Sequence, residues 1–208
     1  GVERPNHALA HSMRKAVLVP IVIDTFQKYY KDDKSIFKFS NEEIFALQVA
    51  LLFESVGRES DIGYHDVEGE SEKLHNQFDA NAAKIFHKYY KKHSEDHTTL
   101  RKAYHSSHKA LKQMYSVNKT QKLLAPTLIL ETCHKIDLSR CYSDEEMYKR
   151  YNGKTLILFE KTDEAKEAVK RLYKYGVKFI QATGDRLLSG GDVYDVYMEI
   201  KPNNTRDS

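Results

Sequence analysis

"TQKLLAPTLILETCHKIDLSRCY", Thr120 to Tyr142, is the most apolar stretch of the chain, and it carries His134, Asp137 and Arg140. Its one breaker, Pro126, lies near the start, where a helix tolerates proline. Apolar residues recur there at helical spacing, which predicts a buried helix. A helix so apolar must be central to the fold, so the rest of the chain has to wrap it. Asp137 follows His134 by three residues and Arg140 follows it by six. Residues three apart are neighbours on a helix, so Asp137 is placed to set the imidazole tautomer. Arg140 continues toward the same face as a group that can hold an anion.

Upstream, "SNEEIFALQVALLFESVG" (Ser40 to Gly57) is the best-formed helix of the sequence. Ser40 with Glu43 three residues on is a capping box, and Gly57 stands at the expected stop. This helix delivers Arg58, Glu59 and Asp61 into the polar loop "RESDIGYHDVEGESE". Nearer the start, "ERPNHALAHSMRKA" (Glu3 to Ala16) opens a helix expected from Asn6, its N-cap, to about Lys31, kinked at Pro20. His7, His11 and Arg14 share one of its faces. That face is either a polar surface stripe or an anion site built from imidazoles, a guanidinium and a helix N-terminus.

Two more helical stretches follow the loop: "ESEKLHNQFDANAAKIFHKYYKKH", and "HSEDHTTLRKAYHSSHKALKQMYS" as a helix or helical hairpin. The C-terminal third is less regular. "EEMYKRYNG" should stop at Gly153, and "KTLILFEK" is short enough to be a strand. Thr162 to Asp185 reads as helix, and "LLSGGDVYDVYMEIK" as a loop and a short extended segment. With only 9 glycines and 4 prolines in 208 residues, the fold class is all-α, with one short strand pair near the C-terminus.

Composition narrows the function. Charged residues make up 30% but the net charge is only +3, which is not the footprint of a nucleic-acid binder. No apolar run reaches membrane-spanning length; "AVLVPIVI" is short and broken by Pro20. Two cysteines, Cys133 and Cys141, form no disulfide framework, and a reducing, cytoplasmic setting is expected. His87, His93, His97, His105 and His108 lie in lysine-rich helices and read as solvated rather than as metal ligands. "ATGDRLLSGGD" lacks phosphate-loop spacing, and the chain has neither a G-x-S-x-G elbow nor a CxxC pair.

Two histidines, a carboxylate and arginines remain, without cysteine ligands. That set suits phosphoryl or phosphodiester chemistry: one imidazole attacks or acts as base, the other protonates the leaving group, and guanidinium groups neutralise the phosphate. The alternative is a metal-dependent nucleotide phosphohydrolase of the HD type. That type needs a His-Asp doublet at the end of its second motif helix, where this chain has "FES", Phe53 to Ser55. Its one HD doublet, His65-Asp66, falls in the loop beyond.

"RPNHALAHSMRKA", "FESVGRESD" and "CHKIDLSRCY", followed by "ATGDR", resemble the phosphodiesterase domain of the SidE family of bacterial effectors and its deubiquitinase relatives. The resemblance covers roughly residues 1 to 190. It implies a single domain over 1–208: a compact helical core (1–72 and 117–190) with 73–116 as a helical insertion or cap. It implies a metal-independent phosphodiesterase without cofactor. The partners implied are ubiquitin carrying ADP-ribose or phosphoribose and serine-bearing substrate proteins, met by a secreted effector in a host cytoplasm. Carried over by motif, His7 is the nucleophile, His134 the general acid and Glu59 the supporting carboxylate, with Asp61 its alternative. Arg140 holds the phosphate, and His11, Arg14 and Arg58 line the pocket. The chain is short for this domain and has no mono-ADP-ribosyltransferase motif, so alone it is not expected to make ADP-ribosylated ubiquitin.

Overall fold

The structure, a computed structural model, describes residues 9–54, 70–94, 97–114, 120–139 and 153–174. Their regular elements are helical: α1 (Leu9–Tyr29), α2 (Asn41–Glu54), α3 (Glu70–Ser94), α4 (Thr98–Gln113), α5 (Leu124–Ser139), the short α6 (Gly153–Leu156), and α7 over 163–174. Single 3-10 turns stand at Lys34–Phe37 and Gln121–Leu123. The all-α expectation is met. The extended segment expected after Asp185 lies outside the described residues, as do Asn6 and Gly57.

Local chemistry accounts for the helix starts. The Ser40 backbone N–H donates to Glu43 Oε2 at 2.8 Å, and the Glu43 N–H donates to Ser40 Oγ at 3.3 Å, a closed capping box in front of α2. Thr162 caps α7 by accepting the Ala165 N–H at 3.1 Å. Helix α1 runs through Pro20. Proline has no N–H for the carbonyl four residues back, that of Ala16. Gln48 Nε2 on α2 donates to that carbonyl at 3.2 Å, so the break in α1 becomes a tie between two helices.

The chain forms two compact units. The first holds residues up to Ile23 and from Ser35 to His134; the second holds Asp24–Lys34 and everything from Lys135 on. In the first unit α2, α3 and α4 pack on one another. Leu47, Ala50 and Leu51 of α2, Phe86 of α3, and Tyr104 and Leu111 of α4 are at most 1% exposed. An aromatic seam joins α3 to α4: Phe86 lies 5.8 Å from Tyr104, and the His87 and His108 rings are 5.1 Å apart. His93, His97 and His105 are exposed as expected, but His87 and His108 are half-buried in this seam rather than solvated.

In the second unit the structure corrects the sequence reading. "KTLILFEK" is not a strand: its first residues lie in the helical turn Gly153–Leu156, and Phe159 makes an isolated antiparallel bridge with Tyr30, while "EEMYKRYN" lies outside the described residues. Two tertiary contacts override the β-prone composition. Buried Thr155 Oγ1 shares a 2.7 Å hydrogen bond with the Tyr173 hydroxyl, and Phe159 packs 4.7 Å from the Phe26 ring.

The histidine seam has a consequence for acid stability. Burial first, then Lys112, His87 and His105, push His108 from its ordinary 6.5 down to about 4, against a weaker opposing hydrogen bond that the ring donates to the Ala83 backbone carbonyl. Burial, with Lys91, Lys112 and His105, also lowers His87. Between those two values the unfolded chain binds a proton that the folded one refuses at His108, so stability falls as pH drops from about 6.5 toward about 4. Urea melts at pH 7 and pH 5 should show this loss, and His108→Gln should make it smaller.

Candidate functional site

Three apolar stripes of the first unit end in polar groups. On α1 the stripe Val22, Leu18 continues to Lys15 and His11; on α2 the stripe Leu47, Ala50, Leu51 ends at Glu54; on α5 Leu130 leads to Cys133 and His134. Each helix is buried by its apolar residues, and the polar groups go in with them. His11 and Lys15 are 0% exposed, Glu54 5%, Arg14 6% and His134 8%.

These groups converge. Lys15 Nζ is hydrogen-bonded to Glu54 Oε2. The other oxygen of that carboxylate, Oε1, lies 2.9 Å from His134 Nδ1. The His11 ring stands edge-on to the His134 ring, with centroids 5.5 Å apart and planes at 78°. One carboxylate therefore bridges an ammonium and an imidazole out of water. A buried ammonium costs several kcal/mol unless it is paired, so Glu54 and Lys15 require each other. The approach of Nδ1 to the carboxylate is a charge contact rather than an aligned hydrogen bond, and it holds the His134 ring most firmly when the imidazole is protonated. Cys133, beside His134, is fully buried; burial pushes its thiol up, Lys15 only partly offsets this, and the thiol is an inert packing group.

His11, Glu54 and His134 each offer a ligand atom, and these atoms lie within 4.8 Å of one another. Two imidazoles and a carboxylate are a donor set that zinc accepts. Lys15 already places a positive charge on that carboxylate, which disfavours a second cation there.

The structure brings together two of the residues picked out in the sequence, His11 and His134, and buries a third, Arg14, in the same unit. The burial of His11 and Arg14 rules out a solvated polar stripe on α1. His7, Arg58, Glu59, Asp61 and Arg140 lie outside the described residues. Asp137 is buried one turn beyond His134. Two members of the cluster, Lys15 and Glu54, were missed. The sign of Glu54 was visible in "FES": a carboxylate that continues the 47-50-51-54 apolar stripe should be buried, and a buried carboxylate needs a cation.

The family model for the SidE phosphodiesterase (PDE) domain matches residues 1–188. The chain belongs to this family. Its fold resembles that of lpg1496 from Legionella pneumophila. The C-terminal domain of that protein, solved in complex with nucleotide, superposes with a TM-score of 0.66 at 24% identity, over 89% of this chain and 65% of that one. The same domain solved in a second structure gives a TM-score of 0.67 at 26% identity, with the same coverage. A further lpg1496 structure, of a longer chain, gives 0.67 and 26%, with 89% of this chain and 45% of that one covered. The chain thus spans less than two thirds of the length of these structures. Comparison with curated protein sequences gives no match. Membership in this family makes the chain a phosphodiesterase domain and leaves the HD-type reading without support.

The Lys15–Glu54 pair yields a stability test. Lys15→Met strands a carboxylate in the interior and should cost about 3–5 kcal/mol in urea denaturation. Adding Glu54→Leu to that variant should recover most of the loss, because an apolar pair of similar volume needs no counter-charge.

Proposed function

We propose that this domain cleaves the phosphate linkage of ADP-ribosylated or phosphoribosyl-linked ubiquitin through a covalent histidine intermediate and without a metal. The observation that carries this reading is the buried Lys15–Glu54–His134 chain with His11 packed on it, inside a SidE phosphodiesterase domain. His7, carried over from the family motif, attacks phosphorus and forms a phosphoramidate. The bond to the leaving group breaks as His134 gives it a proton. With Nδ1 turned to Glu54, that proton comes from Nε2, and Glu54 stabilises the ring's charged form. Glu54 stands beside Glu59 and Asp61 as a candidate for the supporting carboxylate, and is the one supported by a distance. Arg14, Arg58 and Arg140 neutralise the phosphate as charge builds on it.

The second half-reaction decides the product. A substrate serine attacking the phosphoramidate gives the serine-linked conjugate; water gives free phosphoribosyl-ubiquitin. In both cases His134, deprotonated in the first step, takes the proton of the attacking hydroxyl. A phosphoribosyl-ubiquitin partner implies a protein met in a host cytoplasm, and residues 73–116, which contain most of α3 and all of α4, are the domain's helical insertion or cap.

The test is incubation of the chain with ADP-ribosylated ubiquitin and, separately, with a serine peptide carrying phosphoribosyl-ubiquitin, followed by mass spectrometry. AMP from the first substrate or free phosphoribosyl-ubiquitin from the second is the expected result. Turnover of neither overturns the substrate assignment, and loss of activity in EDTA overturns metal independence. His134→Ala should slow the serine-linked substrate by about 100-fold or more, because an alkoxide cannot leave without a proton. The same variant should still accumulate phosphohistidine from ADP-ribosylated ubiquitin, since AMP departs readily as an anion. Equal slowing of both substrates would remove His134 from the role of acid.

A further inference from the structure

The helical hairpin α3–α4 carries a charge pattern that the phosphodiesterase site does not use. Residues 80–114 contain eight Lys and Arg against two acidic residues, Glu95 and Asp96, a net +6 that leaves −3 for the rest of a chain whose total is +3. All eight, Lys84, Lys88, Lys91, Lys92, Arg101, Lys102, Lys109 and Lys112, are exposed. None forms an ion pair with a described residue.

The cations are arranged in stripes. On α3, Lys84, Lys88, Lys91 and Lys92 follow the i, i+4, i+7, i+8 spacing of one face, while Ala82, Ala83 and Phe86 are buried. On α4, Arg101, His105, Lys109 and Lys112 follow i, i+4, i+8, i+11, while Ala103, Tyr104, Ser107, Ala110 and Leu111 are buried. The His87–His108 contact sets the antiparallel register, which puts Lys84 level with Lys112 and Lys91 level with Tyr104 and its neighbour Lys102. Lys91, Lys112 and His105 all act electrostatically on His87, so the two stripes meet at the seam. The result is a cationic face about 12–16 Å long on two packed helices.

A face of this kind, with no ion pair to a described residue, is costly in self-repulsion and fits an extended anion. We propose that it docks the domain on an anionic lipid surface. Two features favour lipid over nucleic acid. Seven of the eight cations are lysines, point charges suited to a diffuse layer of headgroups, rather than the arginine forks that grip phosphates and bases. The described aromatic residues of the hairpin are engaged in its own packing: Phe86, Tyr89 and Tyr90 all lie within 6.4 Å of the Tyr104 ring, which leaves none of these rings as a platform for stacking bases.

The test is co-sedimentation of the full chain with phosphatidylcholine vesicles, with and without about 30 mol% phosphatidylserine, at low salt and at about 0.5 M salt. Binding only to the phosphatidylserine vesicles, lost at high salt, is the expected result. Each lysine near the surface contributes roughly fivefold in partition, so Lys84→Gln/Lys88→Gln/Lys91→Gln/Lys92→Gln should weaken binding by about 100-fold or more. These residues are exposed and outside the catalytic cluster, so the variant should keep its helical circular-dichroism signal and its phosphodiesterase activity. No binding at low salt, or undiminished binding by the folded variant, overturns the proposal. So does a single-stranded RNA that displaces the protein from vesicles at equal phosphate concentration.

Discussion

The Glu54 carboxylate sets the terms for the first unit. It takes Lys15 on one oxygen and His134 on the other, and each of the three residues comes from a different helix. None of them is stable in the interior by itself. An ammonium or carboxylate out of water costs several kcal/mol, and the cost is offset only when the partners are in place with good geometry. Hence α1, α2 and α5 cannot slide against one another without exposing an unmatched charge. The apolar stripes supply most of the burial energy but little specificity, since Leu and Val tolerate a shifted register. The polar end of each stripe selects one register.

The same constraint explains how a polar cluster can sit in so apolar a setting. Helix α5 is buried along Leu128 to Cys133, and His134 is the next residue. An imidazole there loses solvation and, without Glu54, would have no fixed orientation. In a low-dielectric site, oriented charges act more strongly than in water, which is the setting that stabilisation of charge at a phosphate requires. Gln48 adds to the alignment: by bonding the Ala16 carbonyl that Pro20 cannot serve, it pins α2 to α1 at the residue next to Lys15. The proline is thereby part of the framework.

The second use of charge is the reverse of the first. In the site, one carboxylate compensates buried cationic and polar neighbours. On α3 and α4, eight exposed cations have no such compensation among the described residues, and the solvent carries their cost. Burial first, and then repulsion from these lysines, keeps the half-buried His87 and His108 neutral. The hairpin is therefore cationic on its surface and uncharged at its seam near neutral pH.

The sequence by itself determined the helices whose start signals are local. Ser40 with Glu43 caps the helix it was expected to cap, because a cap involves only residues three or four apart. It also identified His11, Arg14 and His134 as site candidates, because a polar group on an apolar stripe is visible as a break in a pattern. Tertiary structure alone decided the rest. "KTLILFEK" has β-prone composition, yet Thr155 and Phe159 are held by Tyr173 and Phe26, which no local rule foresees. His87 and His108 looked like solvated histidines until the packing of α3 on α4 brought their rings together. Lys15 and Glu54 stand 39 residues apart, and His134 a further 80 along. Ion pairing depends on distance in space, and nothing in a linear spacing records which carboxylate a buried lysine will meet.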